Sequence, residues 1–402
     1  METTKIQLCP KEKCTGCFAC AGICGKNAIS FIESVEGFLY PEIDTRVCVS
    51  CHLCQKACPV LTPVTFNPEG ECYAAWSLDE AIRTQSSSGG IFSELARSIL
   101  LQNGIVVGAS LDDTTGCVNH IIIDKVADMH KLQGSKYVQS KVSAAILKQV
   151  KESLQNGKKV LFTGTPCQIA GVIACTKNPG NLYTMDVVCH GVPSPKWFQQ
   201  IHESVRGRIK NFVNYNFRQL FTWSVCTNVN VNVNVNGKIK NYELFGIETC
   251  YQDAFLKGYM HRENCYQCQY AKTVRVADIS VADFWGIGSK KPITDEHKLG
   301  CSMVLVNSEK GRLLFESVRD RIYAEKRDVN ESIEAGNEQL RTPSNRPQER
   351  DTFYLDAYSM SLPELVIKYR LDYKKPPSLK VRIKSQVKSI IQNLTKWGRK
   401  YH

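Results

Sequence analysis

The chain has 402 residues, 43% of them apolar and 22% charged, which supports two to three domain cores and reads as globular. Its 19 cysteines are spread along a sequence that opens METTKIQLCP, with no cleavable signal peptide, so a reducing cytoplasm in which thiols hold metals is expected and a disulfide scaffold is not. The net charge of +12 includes nine Lys or Arg and no acid from Lys374 to His402, which points to a basic tail and argues against a nucleic-acid-binding domain, while no apolar run of about eighteen residues is present to cross a bilayer.

In chain order, the first feature is a repeated CxxCxxCxxxC: Cys14, Cys17, Cys20 and Cys24, then Cys48, Cys51, Cys54 and Cys58, the last followed by Pro59. Three thiolates on one tight loop can take three corners of an iron-sulfur cube. The fourth, one helical turn on, serves the other cluster in two-cluster ferredoxins. The spacing therefore assigns Cys14, Cys17, Cys20 and Cys58 to one [4Fe-4S] cluster, and Cys48, Cys51, Cys54 and Cys24 to a second. Gly25 stands where the first repeat would carry its proline, a change to the turn that leaves the ligands intact. Zinc is the competing reading of CxxC pairs, but it needs four ligands as two separated pairs and has no use for eight interleaved ones.

VLTPVTFNPEG then reads as a linker. Beyond it, CYAAWSL, GIVVGASL, HIIIDKV and KKVLFTGTP read as strands, and GGIFSELARSILLQ and VSAAILKQVKESLQ as helices, an alternation that predicts an α/β layer structure. In TNVNVNVNVNG, residues 227–237, strict alternation fits a strand, and Asn236-Gly237 a hairpin turn. RTPSNRPQER marks the expected edge of the compact part. The expected class is α+β: a ferredoxin-type domain over 1–66, a larger α/β domain over 67–345, and a tail over 346–402.

Within the second domain SSSGG, residues 86–90, precedes a helix, where small residues and free N–H groups suit phosphate; any helix can begin this way. In VLFTGTPCQIAG a strand ends at Gly164, Thr165 and Pro166 and a helix starts at Cys167, the kind of turn at which nucleotides sit in open α/β sheets. No GxGxxG is present, so a Rossmann dinucleotide site is not expected. Cys167, Cys189 and the CxxC pair Cys265 and Cys268 can hold a third cluster. Cys72, Cys117, Cys175, Cys226, Cys250 and Cys301 read as small apolar residues. In the tail, Leu379, Ile383, Val387, Ile390, Leu394 and Trp397 form one stripe flanked by cations, which fits either an anionic membrane surface or a terminal helix packed on its own protein.

SSGGIFSELA, QGSKYVQS, LFTGTPCQIAG, CHGVPSP and CYQC followed by ADISVADFWG, in this order behind a double ferredoxin motif, resemble the coenzyme F-420 hydrogenase/dehydrogenase beta-subunit family over roughly residues 8–300. The resemblance implies a flavoprotein α/β domain that binds FAD and a further [4Fe-4S] cluster, with the deazaflavin coenzyme F-420 as a substrate in archaeal members. It implies that Ser87, Ser88, Gly89, Gly90, Gly164, Thr165 and Pro166 border the flavin, with Asp283 also on the cofactor side. Lys136 would face the ring or a phosphate. Cys167, Cys189, Cys265 and Cys268 would ligate the third cluster. His190 would be a proton donor or a structural imidazole holding its turn. Ala282 departs from the glycine of the family pattern and puts a methyl where backbone would pass closely, which would narrow that pocket or alter what docks there.

The resulting expectation is a cytoplasmic iron-sulfur flavoprotein oxidoreductase, with peripheral attachment to the inner membrane face through its tail. Its electron donor would be a redox partner protein or a reduced coenzyme, and its acceptor a small molecule, with either direction of flow open. Relatives with this double ferredoxin start point to a setting in polysaccharide biosynthesis. The alternative is a non-catalytic electron-relay subunit.

Overall fold

The structure is a computed structural model that describes residues 6–218 and 229–375. Its first part is a hairpin of β1 (Ile29–Glu33) and β2 (Leu39–Ile43), flanked by the short helices Ala19–Ile23 and Leu53–Lys56. The sequence repeat is also a backbone repeat. Gly16 and Ser50 have φ of +66° and +53°, and Phe18 and His52 have φ of +64° and +60°, so corresponding positions of both cysteine loops are left-handed. That conformation costs a non-glycine residue on the order of 1–2 kcal/mol. Three such residues are retained where each loop has to curl its thiols around one centre.

The remaining strands are β3 (Glu71–Ser77), β4 (Ile105–Asp112), β5 (Cys117–Ile123), β6 (Val160–Gly164), β7 (Leu182–Val187), β8 (Phe212–Asn216), β9 (Asn230–Val235), β10 (Lys238–Glu243), β11 (Ile279–Asp283), β12 (Ser302–Val306) and β13 (Ile322–Lys326). Eight of them form one sheet in the order β13-β3-β12-β11-β7-β6-β4-β5. β4, β6, β7 and β11 are parallel, while β5, β12, β3 and β13 add antiparallel flanks. The parallel centre reads as continuous apolar sequence because both of its faces are covered. Val107, Phe162 and Leu182 meet Leu147, Val150, Ile169 and Val172 on one face, and Val106, Leu161 and Met185 meet Leu95, Ile99 and Phe315 on the other. Phe18, Ala19 and Ala57 of the cysteine loops join the first of these layers. The expected α/β layering is thus present as a mixed sheet.

β8, β9 and β10 make a separate antiparallel sheet. The Val/Asn run supplies β9 and turns into β10 through Asn236 and Gly237, with φ of +51° and +79°, the left-handed pair that a tight hairpin needs. Its Val229 and Val231 are buried beside Trp197 and Phe198. The packed chain does not stop at RTPSNRPQER: helices Arg350–Ser359 and Leu362–Lys368 follow, and Phe353, Tyr354 and Leu365 are buried in the same core. Polar composition there marks a surface crossing between packed elements. The stripe from Leu379 to Trp397, together with Cys226, lies outside the described residues. Among the described residues no helix is long and apolar enough to cross a membrane.

Candidate iron-sulfur centres and the adjoining sheet edge

The structure gathers the repeat cysteines in the interleaved way their spacing suggests. Cys24, Cys48, Cys51 and Cys54 line one cavity together with Ile6, Ile29, Ile43 and Leu53, and Cys51 is exposed. Of the other set, Cys17 lies within electrostatic reach of Cys14 and Cys58, and Cys20 within reach of Cys14, Cys17 and Cys58. Burial pushes the Cys17 thiol up to about 11 and Cys20 higher still. Cys14 and Cys58 are held down to about 6, first by hydrogen bonds from a ninth thiol, Cys9, and for Cys14 also by the Arg262 guanidinium.

Arg262 is fully buried. Its Nε donates to the Cys14 carbonyl at 2.6 Å, Nη1 to Gln139 Oε1 at 3.1 Å and Nη2 to the Leu39 carbonyl at 3.1 Å. The Tyr40 ring centre lies 4.1 Å away. Among the described residues no carboxylate is within salt-bridge distance of it. A buried guanidinium without a carboxylate needs another anion, and a thiolate-bound cube carries net negative charge. The donor set and this uncompensated cation both fit a cluster held by Cys14, Cys17, Cys20 and Cys58.

The third thiol group lies at the carboxyl edge of the parallel strands. Cys167 opens the helix Pro166–Thr176 that leaves β6, and Cys189 follows β7 by two residues. Cys265 and Cys268 come from the turn Glu263–Gln267 and the residue after it. All four line one cavity with Thr15, His190 and Tyr270. Burial pushes the Cys265 thiol up to about 12 and raises Cys167, Cys189 and Cys268 as well. Thiolates in such a place persist only beside positive charge, which a metal centre supplies. Arg275 lies within electrostatic reach of Cys189 and Cys268, paired with buried Asp186 at 3.0 Å and donating to the Tyr270 carbonyl at 2.9 Å. Among the described residues no three His, Cys, Asp or Glu side chains converge to suit a single metal ion.

The residues expected around a flavin reach the same sheet edge, because Ser302 at the start of β12 pairs with Asp283 at the end of β11. Their polar groups are engaged within the chain. Ser135 N–H donates to Ser87 Oγ at 2.8 Å, Ser88 Oγ donates to the Cys301 carbonyl at 3.1 Å, and Gly89 N–H donates to Ser302 Oγ at 3.0 Å. Gly89 is small for a reason within the protein: a Cβ there would stand 2.4 Å from the Ala75 carbonyl oxygen. Gly90, with φ of +86°, is the left-handed residue that starts the helix Ile91–Leu100. Thr165 forms a reciprocal cap with Gln168, and its Oγ1 lies 3.1 Å from Cys167 Sγ. Asp283 is ion-paired with Arg218. Ser88 Oγ, Gly89 N–H and Thr165 N–H thus each donate within the protein.

Lys136 Nζ donates to the carbonyls of Leu132 and Gln133 at 3.0 and 2.7 Å. Burial lowers its pKa to about 7, against the opposing pull of Asp113. An amine whose native pKa lies below its unfolded value of about 10.4 costs stability in full below pH 7, and ceases to cost as pH rises toward the unfolded value. Relative to Lys136→Met, the wild type should therefore gain apparent Tm between pH 7 and 9. Parallel pH profiles for the two proteins would mean that the ammonium is solvated. His190 lies in the third thiol cavity, with Nε2 3.4 Å from the Leu256 carbonyl and its ring edge-on to His261. Burial lowers its pKa, which favours the neutral ring.

Comparison with known proteins matches three stretches of this chain. Residues 13–61 match the 4Fe-4S dicluster domain. Residues 72–147 match the N-terminal part, and residues 157–332 the C terminus, of the coenzyme F420 hydrogenase/dehydrogenase beta subunit. The chain belongs to the coenzyme F420 hydrogenase/dehydrogenase beta-subunit family. It is accordingly an iron-sulfur protein of an oxidoreductase family. Among solved structures, it is similar to a chain of the xenon-derivatised F420-reducing [NiFe] hydrogenase complex from Methanosarcina barkeri, at 20% identity, 69% coverage of this chain, 92% of that one and a TM-score of 0.45. No curated protein matches it.

The residues that sequence reasoning passed over are Cys9, Thr15, Arg262, Tyr270 and Arg275. Each takes its place through contacts distant in sequence, and only Cys9 belongs to a residue type that marked the site. Of the cysteines read as apolar filler, Cys72, Cys175, Cys250 and Cys301 are buried, and Cys175 Sγ also donates to the Ala19 carbonyl at 3.3 Å.

Proposed function

We propose that this family member is an iron-sulfur flavoprotein oxidoreductase, in which three [4Fe-4S] clusters supply one-electron steps and FAD their exchange for electron pairs. The observation that carries the reading is the closeness of the first and third thiol groups across one helix. Cys167 and Gly171 share a face of Pro166–Thr176, and a Cβ on Gly171 would meet Cys17 Sγ at 3.1 Å. Thr15 of the first loop lines the third cavity, and its carbonyl accepts from Gln139 Nε2 at 3.2 Å.

The chain's own residues would position and insulate the groups. Tyr270 is buried, lies within electrostatic reach of Cys17, Cys167 and Cys268, and keeps water out of the space between the two centres. Gly171 lets that space stay narrow. Cys51 is exposed at the second centre, which supports entry of electrons there from a partner protein or reduced coenzyme. The edge bearing Gly164, Lys136 and Asp283 is where the resemblance would put the flavin and an organic substrate, with coenzyme F-420 as one candidate.

The internal pairing of Ser87, Ser88, Gly89 and Lys136 favours a second reading, a relay subunit whose substrate turns over on a partner. Anaerobic purification with iron and flavin analysis separates the two. About twelve irons and one FAD per chain support the enzyme, and the same iron without flavin supports the relay. Colourless protein with no electron-spin signal after reduction would remove both. Reduced deazaflavin, reduced ferredoxin and reduced nicotinamide, supplied in turn, then identify the donor.

A further inference from the structure

Arg262 joins two of the proposed centres through different parts of one residue. Its main chain belongs to the third cavity: its N–H donates at 2.9 Å to the carbonyl of Val192, which lines that cavity, and its carbonyl accepts from Cys265 N–H at 2.8 Å. Its side chain reaches the first loop instead. The guanidinium donates to the Cys14 carbonyl and packs on Gly16, where a Cβ would stand 3.0 Å from Nη1. It therefore lies against the backbone that joins Cys14 to Cys17.

The acceptors of the guanidinium are two carbonyls and a neutral amide, and none of them balances a positive charge. Glu36, three residues before Leu39, is paired with Arg350 at 2.7 Å instead. A fully buried cation served only by dipoles keeps its field, because neither solvent nor a counter-ion screens it. The electron added to a neighbouring centre is stabilised by that field, which raises the centre's potential. We propose that Arg262 is a positioning residue whose unneutralised charge makes the first centre easier to reduce than its thiols alone would, while its backbone anchors that charge to the loop of the third. The inference rests on the reading that Cys14, Cys17, Cys20 and Cys58 hold a cluster.

The test is a redox titration followed by electron-spin resonance on anaerobically purified full-length protein, with iron analysis alongside. Gln139→Glu leaves Arg262 in place and sets a carboxylate where Oε1 now lies 3.1 Å from Nη1, and the guanidinium should hold that carboxylate ionised. Its iron content should equal that of the wild type. The reduced-to-oxidised ratio of one cluster at fixed potential should fall about tenfold, the scale of one unit charge acting through about 10 Å of protein. Gln139→Met loses the same amide without adding charge, and should stay near the wild-type midpoint. In the same way Arg262→Lys should keep the midpoint and Arg262→Gln should lower it, although both lose the fork. The shifted signal should persist when Cys51→Ala or Cys265→Ala is added, since those cysteines belong to the other two centres. Equal midpoints in Gln139→Glu and Gln139→Met would overturn the proposal, as would equal shifts in Arg262→Lys and Arg262→Gln, the mark of a purely structural residue. A shift confined to a signal that Cys51→Ala or Cys265→Ala removes would overturn it too. So would loss of about four irons in Gln139→Glu, by making the charge a condition of assembly and not a setting of the potential. Wild-type protein without ferredoxin-type signals would instead bring down the cluster reading beneath it.

Discussion

Cys265→Ala should lower the iron of anaerobically purified protein from about twelve to about eight atoms per chain, and leave the signals of the two ferredoxin-type clusters in place. The third cavity draws its thiols from three separate stretches, at Cys167, at Cys189 and at the Cys265–Cys268 pair, so a cube there would lose one corner with no neighbouring cysteine in the loop to replace it. The two outer groups take their thiols from the repeats alone, which is why their iron should be spared. The alanine itself is tolerable. It removes a buried thiol that is costly to ionise, its pKa being pushed up to about 12, and leaves the turn Glu263–Gln267 with its backbone bonds. Cys189→Ala should behave in the same way. Iron unchanged in both variants would mean that the cavity holds no cluster, and that the four cysteines are packing residues.

Arg262→Met should lower stability by roughly 3–5 kcal/mol, read as a large fall in apparent Tm, because it strands several buried acceptors at once. The guanidinium serves the Cys14 carbonyl, the Leu39 carbonyl and Gln139 Oε1, three groups from three segments that meet nowhere else in this way. Methionine restores much of the volume over Tyr40 but no donor. The charge matters separately, since the guanidinium lowers the Cys14 thiol pKa. Arg262→Lys should keep that influence and lose the fork, so its melting should fall between wild type and Arg262→Met while its first-cluster iron stays nearer to wild type. A methionine variant that melts with the wild type would show that water already donates to these acceptors.

Both predictions concern residues of one motif region, and they differ in how visible they were beforehand. The thiols could be read from spacing because a cluster ligand must be cysteine, and because a loop that places three sulfurs on one cube allows few separations. The strands from Ile105 to Asp112 and from Val160 to Gly164 could be read because apolar runs with both faces covered have few other uses. Arg262 could not be read this way. Its role consists of three acceptors contributed by residues 14, 39 and 139, and no local pattern encodes a meeting of distant carbonyls. The end of the packed chain was hidden for a similar reason: RTPSNRPQER is polar because it crosses the surface, and only the burial of Phe353 and Tyr354 in the core around Trp197 shows that folded chain follows.

SSSGG illustrates the opposite limit. Small residues before a helix suit a ligand that approaches backbone, and equally suit another strand that does so. Gly89 is filled against the Ala75 carbonyl, a choice between two uses of the same space that the letters do not contain. What the sequence determined alone was chemistry whose ligands are set by residue type and short spacing, together with the alternation of elements that builds the sheet. What the tertiary structure decided was adjacency: that Cys17 lies against the helix of Cys167, and that buried Arg262 joins the segments of Cys14, Leu39 and Gln139 with no carboxylate among the described residues within salt-bridge distance. Spacing along a chain constrains only near neighbours, whereas burial and charge balance are properties of what folding brings into the same volume.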